Sequence, residues 1–350
     1  MGELNLSNRL VMAPMTRNRA TEHGLVSNIM VEHYKQRATA GLIITESTPI
    51  SPQGVGYPFS PGLFTEEQLE SWKPLIKAVH DAGGLIFVQL QHCGRISHTS
   101  IQPNNSMPVA PSAIKASGQA VTYTGMKNFE TPRALESEEI TSIAQQFFTS
   151  SRMAKDAGFD GIEIHGANGY IIDQFLRDGS NHRTDNYGGS SENRMRLLNE
   201  VLDLVCAIWS ANKVGVRLSP ENSFNSMEDS NPQKHFEYFI EKLSSRKLAY
   251  LHILEGDMLN DYNVVNYHTL RAKFFGTYIA NNGYDSEKAE KAVSHGHADL
   301  IAFGTPFLAN PDLVRRYREN LPLNEADQTT FYGGTKIGYN DYPFYSLVKK

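Results

Sequence analysis

The stretch Phe159-Asp160-Gly161-Ile162-Glu163-Ile164-His165-Gly166-Ala167-Asn168-Gly169-Tyr170 decides how the rest of the chain is read. Phe159 to Ile164 is a short, largely apolar run of the kind that forms a buried strand. A glycine-containing turn follows it, and a turn at a strand's C-terminal end is where barrel enzymes carry their chemistry. The turn presents two neutral polar groups, His165 and Asn168, and then the phenol of Tyr170. These three can hold a carbonyl or nitro oxygen and deliver a proton beside it. Neither a carboxylate pair nor a cysteine nucleophile is needed.

Outward from this stretch, apolar runs alternate with amphipathic ones. Expected strands are Leu10–Ala13, Leu42–Glu46, Leu85–Leu90, Phe159–His165, Val214–Leu218, Ala249–Leu254, Phe275–Ala280 and Asp299–Gly304. Between them, apolar residues recur at three- and four-residue spacing in Glu66–Ala82, Glu138–Ala157, Ser191–Trp209, Pro232–Ser244 and Ser286–His295, which predicts helices. Strand–helix alternation implies parallel strands joined by crossover helices. Eight such units predict an α/β chain folded as a (β/α)8 TIM barrel, with residues 1–350 as a single domain. Between the third and fourth strands, residues 91–136 are rich in Pro, Ser, Asn and Gly, with an alternating segment at Ala120–Thr124. They are expected to form a capping insertion that includes a hairpin, since loops of this length in compact domains are usually functional.

Composition narrows the classes. Charged residues are 20% and hydrophobic residues 40%, as in an ordinary soluble globular protein. The formal net charge is −5 and there is no basic run, so nucleic acid is not an expected partner. The two cysteines, Cys93 and Cys206, do not supply a four-cysteine cluster or a zinc site, and no metal is expected. No apolar stretch is long enough to span a bilayer, no signal-peptide core is present, and Leu6 stands where a myristoylation motif needs Ser or Thr. The expectation is a cytoplasmic protein without a membrane partner, as a monomer or homodimer.

The turn also carries a resemblance. His165-x-x-Asn168-Gly169-Tyr170 followed by Asp173-Gln174-Phe175-Leu176 is similar to the substrate signature of the old yellow enzyme family, the FMN-dependent ene-reductases. Further family motifs stand in order. They are Met12-Ala13-Pro14-Met15-Thr16-Arg17, Val88-Gln89-Leu90, Gly94-Arg95-Ile96-Ser97-His98, Arg183-Thr184-Asp185, Tyr187-Gly188-Gly189-Ser190, Glu192-Asn193-Arg194 and Ala309-Asn310-Pro311-Asp312-Leu313. The resemblance covers nearly the whole chain and agrees with a barrel. Family members have a further segment, before the counterpart of Gly2, that helps close the barrel bottom. Here the first strand follows almost at once, which bears on stability more than on chemistry.

What the resemblance implies is specific. FMN would be held by Ala13, Pro14, Met15, Thr16, Ser47, Gln89, His165, Arg217, Asn282, Gly283, Phe303, Gly304 and Thr305. Gln89, at a strand end, both donates and accepts, which suits the flavin's pyrimidine edge. Arg217 places positive charge where the reduced flavin is anionic. Thr16 corresponds to the residue that bonds the flavin O4. Each of these residues, taken alone, is equally an ordinary polar residue at a strand end. The phosphate would sit on backbone N–H groups around Asn282-Gly283 and Gly304-Thr305, before two helices. Relatives typically have Arg where this chain has Thr305. His165 and Asn168 resemble the pair that holds the substrate oxygen, and Tyr170 the proton donor. Substrate would further meet Tyr57, Gln91, Asn225, Met258 and Tyr332, with Gln91 standing where many relatives have Trp, so that a roomier, wetter pocket is expected. The glycine-bearing run from Arg183 to Arg194 is read as a turn that caps a helix, with Ser190 and Asn193 as cap groups.

The implied activity is an NADPH- or NADH-consuming reduction of a small-molecule activated alkene. Three alternatives stay open: an FMN-binding scaffold or sensor with little turnover, a 2,4-dienoyl-CoA reductase-like barrel, and a metal-dependent barrel lyase or hydrolase. The second normally carries cluster cysteines and further domains, and no His/Asp/Glu cluster at strand ends supports the third.

Overall fold

In the computed structural model, which describes residues 1–261 and 263–346, eight strands form a closed ring. They are Leu10–Met12, Leu42–Ile44, Ile86–Gln91, Gly161–Gly166, Val214–Leu218, Tyr250–Leu254, Tyr278–Asn281 and Leu300–Phe303. Each runs parallel to its neighbours, and the last returns to the first through Leu10↔Ile301 and Met12↔Phe303. The (β/α)8 barrel is therefore present, with every expected strand in place. The seventh starts at Tyr278 rather than Phe275. Phe275 is 91% exposed, and its apolar side chain belongs to the preceding turn.

The helices start and stop where local chemistry dictates. Glu66–Asp81 opens on a capping box in which Thr65 accepts from the Gln68 N–H and the Gln68 side chain reaches back. Ser137–Ala157 ends at Gly158, whose φ of +98° is the left-handed C-cap conformation. The single helix expected over Ser191–Trp209 is two, Ser191–Arg194 and Arg196–Trp209, broken at Met195. Ser190 does cap the first of them, accepting from the Asn193 N–H.

Strand alternation sorts side chains between the helix layer and the barrel interior. Ile162 and Ile164 join the core beneath the helices, while Glu163 and His165 take the other face. The lower interior is apolar: Val11, Leu42, Ile44, Phe87, Tyr250, Ile279 and Leu300 cluster there. Gly161 and Gly215 make room for the two rings. A Cβ at Gly161 would lie 2.3 Å from the Phe87 ring, and one at Gly215 2.2 Å from the Tyr250 ring. Met1, Leu4 and Leu6 pack against this cluster, so the short N-terminal segment itself covers apolar surface at the barrel bottom. Above it lie Gln89, Glu163, Arg217, His252 and Asn281, all buried.

Two segments lie over the upper end. The third strand includes Gln91, and from His92 to Glu136 the chain forms two short helical turns, a parallel pair Val109–Ala110 with Arg133–Ala134, and an antiparallel hairpin Gln119–Thr122 with Gly125–Asn128. Near the C-terminus, residues 328–342 are strapped down by buried arginines that donate to main-chain carbonyls. Arg17 reaches Phe331 O and Gly338 O, Arg19 reaches Thr330 O and Thr335 O, and Arg37 reaches Tyr339 O. Tyr339 is fully buried, stacked on His33 at 3.9 Å, with Arg17 and Arg19 over its ring. Among the described residues, no helix is long and apolar enough to cross a membrane.

Candidate active site

A cavity of about 1050 Å³ opens at the C-terminal ends of the strands. Nearly all the residues singled out from sequence line it. Ala13, Pro14, Met15, Thr16, Ser47, Gln89, His165, Arg217, Asn282, Gly283, Phe303, Gly304 and Thr305 form its deeper part, and Tyr57, Asn168, Tyr170, Asn225, Met258 and Tyr332 the part toward solvent. The hairpin contributes Gln119, Ala120 and Val121, and the C-terminal strap contributes Phe331 and Tyr332.

Gln91 is the exception and corrects the expectation that it meets the substrate. It is buried, does not line the cavity, and donates through Nε2 to Cys93 Sγ. Its carboxamide is taken up inside the loop that leaves the third strand.

The turn after the fourth strand is built with care for its side chains. Asn168 has φ +59° and Gly169 +77°, both left-handed. At Gly169 a Cβ would come within 2.7 Å of the Asn225 side chain, so the tight approach excludes other residues. Asp173 accepts from the Gly169 N–H at 2.8 Å and pairs with Arg177 at 3.0 Å. Gln174 donates to the carbonyls of Gly169 and Cys93. The Asp-Gln pair that marks the signature thus fastens the turn from below.

The Asn168 amide has a fixed sense. Met258 N–H donates to Asn222 Oδ1, so Asn222 turns its NH2 outward and donates to Asn168 Oδ1 at 2.9 Å. The Asn168 NH2 remains free to donate into the cavity. His165 lies with its ring centroid 5.0 Å from that of Tyr170, and its Nδ1 has no protein partner. Burial, with Arg217 and His252 nearby, holds the imidazole well below its usual range, so it is neutral at pH 7. Tyr170 bonds Tyr57 through their hydroxyls at 3.0 Å. Burial, with Tyr57 and Cys93 nearby, pushes the phenol well above its usual range, so it is protonated.

The deeper part has a different character. Thr16 and Ser47 share a hydroxyl contact at 3.1 Å. Gln89 donates to Glu163 at 2.6 Å. Arg217 donates to Asn281 at 2.8 Å and leaves Nε without a partner. At the far end, Asn282 and Gly283 have φ of +87° and +72°, and Gly304 sits against Met15. One expected feature differs there. The helix Ser286–Ser294 is capped by Asp285, whose carboxylate accepts from the Lys288 N–H. A negative group already takes one of that helix's N-terminal N–H groups, which leaves fewer donors there for an anion.

Glu163, His252, Asn222, Ser219 and Asn281 escaped the sequence reading. Glu163 had a signal: it lies two residues before His165 on the same strand face. Asn222 and Ser219 act across the fold from the next strand's loop, where spacing alone points nowhere.

The comparisons with known proteins agree with this geometry. The model of the NADH:flavin oxidoreductase / NADH oxidase family matches residues 1–324. A putative 12-oxophytodienoate reductase 2 of Oryza sativa subsp. japonica is 44% identical over 98% of this chain and 92% of its own length. A probable flavin mononucleotide-dependent alkene reductase of Leishmania infantum is 42% identical, covering 98% of this chain and 95% of that protein. The structure of morphinone reductase in complex with tetrahydroNAD superposes with a TM-score of 0.95 at 42% identity, over 100% of this chain and 97% of that one. With matches of this extent, and with its closed barrel and strand-end cavity, the chain belongs to the NADH:flavin oxidoreductase / NADH oxidase family, that is, to the old yellow enzyme family of FMN-dependent oxidoreductases.

Proposed function

We propose that this protein reduces the activated C=C bond of α,β-unsaturated carbonyl or nitro compounds, with FMN as bound cofactor and NADPH or NADH as reductant. The single observation that carries the reading is the convergence of His165, Asn168 and Tyr170 on one wall of the cavity, each in the protonation state or orientation the reaction needs.

The deeper residues fit FMN. Orphaned Arg217 Nε and His165 Nδ1 offer polar contacts, and Ala13, Pro14, Met15, Leu254 and Phe303 offer an apolar slot. The main chain around Gly283 and Gly304 suits a phosphate. Bound there, FMN would supply the hydride chemistry that links the nicotinamide to the alkene, in a ping-pong sequence. The chain's own groups do the rest. His165 and Asn168 donate to the substrate oxygen and draw electron density from the β-carbon, and preorganised donors of this kind act where negative charge develops. Tyr170 gives its proton to the α-carbon. The hairpin of the 91–136 insertion and the C-terminal strap together act as the cap over one FMN-binding barrel and keep bulk water from the reacting atoms.

The test is a visible spectrum of the purified protein, then anaerobic addition of NADPH and of an enone. A flavin spectrum that NADPH bleaches and the enone restores is expected. A yellow protein that never turns over with any enone favours the scaffold reading, and a colourless, metal-bearing protein overturns the proposal.

A further inference from the structure

The centre of the barrel holds a carboxylate that the reaction above does not use. The Glu163 side chain is fully buried. Oε1 accepts from Gln89 Nε2 at 2.6 Å, and Oε2 faces His252 Nδ1 at 2.8 Å, a ring whose own side chain is fully buried too. Gln89 and Glu163 are register partners on adjacent strands, so the contact is set by the sheet itself.

Two consequences follow from elementary chemistry. A carboxylate only accepts hydrogen bonds. Gln89 must therefore turn its NH2 toward Glu163, which leaves its carbonyl oxygen for the cavity that Gln89 lines. Without Glu163 the two ends of that amide are nearly isosteric and its sense is free. The second consequence is electrostatic. Arg217 is buried against the same layer, register-paired with both His165 and His252, and the charge of Glu163 favours its charged form against the cost of burial. Arg217 Nη2 bonds only the neutral Asn281 amide. Glu163 is therefore the counter-charge that limits how much positive potential Arg217 projects into the cavity.

We infer that Glu163 is a positioning residue for the flavin. Through Gln89 it fixes an acceptor toward the pyrimidine edge, and through Arg217 it sets the electrostatic balance between the oxidised and reduced cofactor. The inference rests on the FMN reading of the cavity.

The experiment compares wild type, Glu163→Gln and Glu163→Asp holoenzymes, with Glu163→Gln also placed in a Gln89→Ala background. FMN affinity is read by ultrafiltration and flavin fluorescence, and the midpoint potential by spectroelectrochemical titration. Glu163→Gln should weaken oxidised FMN by about fivefold or more, the scale of one lost hydrogen bond. It should also raise the potential by roughly 30 mV, because removing the negative charge favours the reduced cofactor about tenfold relative to the oxidised one in a two-electron couple. In the Gln89→Ala background, Glu163→Gln should bring no further loss of oxidised-FMN affinity, while the potential shift persists. Glu163→Asp keeps the charge but shortens the reach, so it should lose affinity without moving the potential.

Equal loss of both redox forms in Glu163→Gln, or the full affinity loss repeated in the Gln89→Ala background, overturns the inference. Should Glu163→Gln fail to fold, Glu163→Asp decides alone, and wild-type affinity there overturns it. A wild-type protein that holds no FMN sinks the cofactor reading instead, and variants indistinguishable from a flavin-loaded wild type sink only the role of Glu163.

Discussion

Tyr170 shows how one side chain's surroundings set its chemistry. Its hydroxyl is held by Tyr57 at 3.0 Å, and burial keeps the proton on the phenol. Tyr170→Phe should slow re-oxidation of reduced enzyme by an enone roughly 10²-fold or more, the usual scale for a lost general acid. Nitroalkenes should suffer less, since a nitronate is stable enough to leave unprotonated, and the half-reaction with NADPH should barely change. Stopped-flow rates of the two half-reactions check this, and equal losses in both would mean a disrupted pocket. The pH profile belongs to the same scale. His165 has a folded pKa well below the usual 6.5, so it stays neutral as pH rises through the neutral range, and Tyr170 stays protonated. Re-oxidation by an enone should then be flat between about pH 6 and 8, and an inflection near the ordinary histidine value would contradict the assignment. Both residues were legible in the sequence because they share one turn at a strand end. Asn222, which orients Asn168 at 2.9 Å, was not, because it lies beyond the next strand and meets its partner only through the fold.

At the scale of elements, the phosphate end of the cavity carries the sharpest departure from the family pattern. The short helix Thr305–Ala309 opens on Gly304 with Thr305 exposed, and the other nearby helix is capped by Asp285. The anion would then rest on fewer donors than the sequence alone suggested. A hydrogen bond to a charged group is worth about 1.5–3 kcal/mol, so the protein should hold FMN roughly ten- to a hundredfold more weakly than with an arginine at 305. Titration with FMN of wild type against Thr305→Arg measures this, and matching dissociation constants would mean that another group already supplies the charge. The strands and most helices followed from periodicity. The break at Met195 did not, because the first piece, Ser191-Glu192-Asn193-Arg194, carries no apolar period of its own to set it apart. Gln91 was misplaced for a different reason. The family resemblance alone put it at the pocket, but its amide turns into the departing loop to meet Cys93.

For the molecule as a whole, the barrel and its order of strands were readable from alternation, whereas the C-terminal strap, glycine- and tyrosine-rich from Phe331 to Pro343, is readable only by its resemblance to the family's tail that folds back to the active-site face. Its fastening depends on Arg17, Arg19 and Arg37 meeting carbonyls some 300 residues away in sequence, which no local pattern encodes. Tyr339 is the anchor. Tyr339→Ala should cost about 3–5 kcal/mol, the range for truncating a large buried aromatic, and should expose residues 328–342 to limited proteolysis. Because the strap carries Phe331 and Tyr332 to the cavity, substrate binding should weaken with it. Unchanged stability and protease resistance would show that the strap is held elsewhere. The central claim concerns His165 and Asn168 as the donors that activate the substrate. Its most direct measurement is anaerobic stopped-flow re-oxidation, by one enone, of NADPH-reduced wild type, His165→Ala and Asn168→Ala. Each variant should lose about 2–4 kcal/mol of transition-state stabilisation, as when an oxyanion donor is removed, with phenol binding to the oxidised enzyme weakened in parallel. Wild-type re-oxidation rates and phenol affinity in both variants would contradict the account.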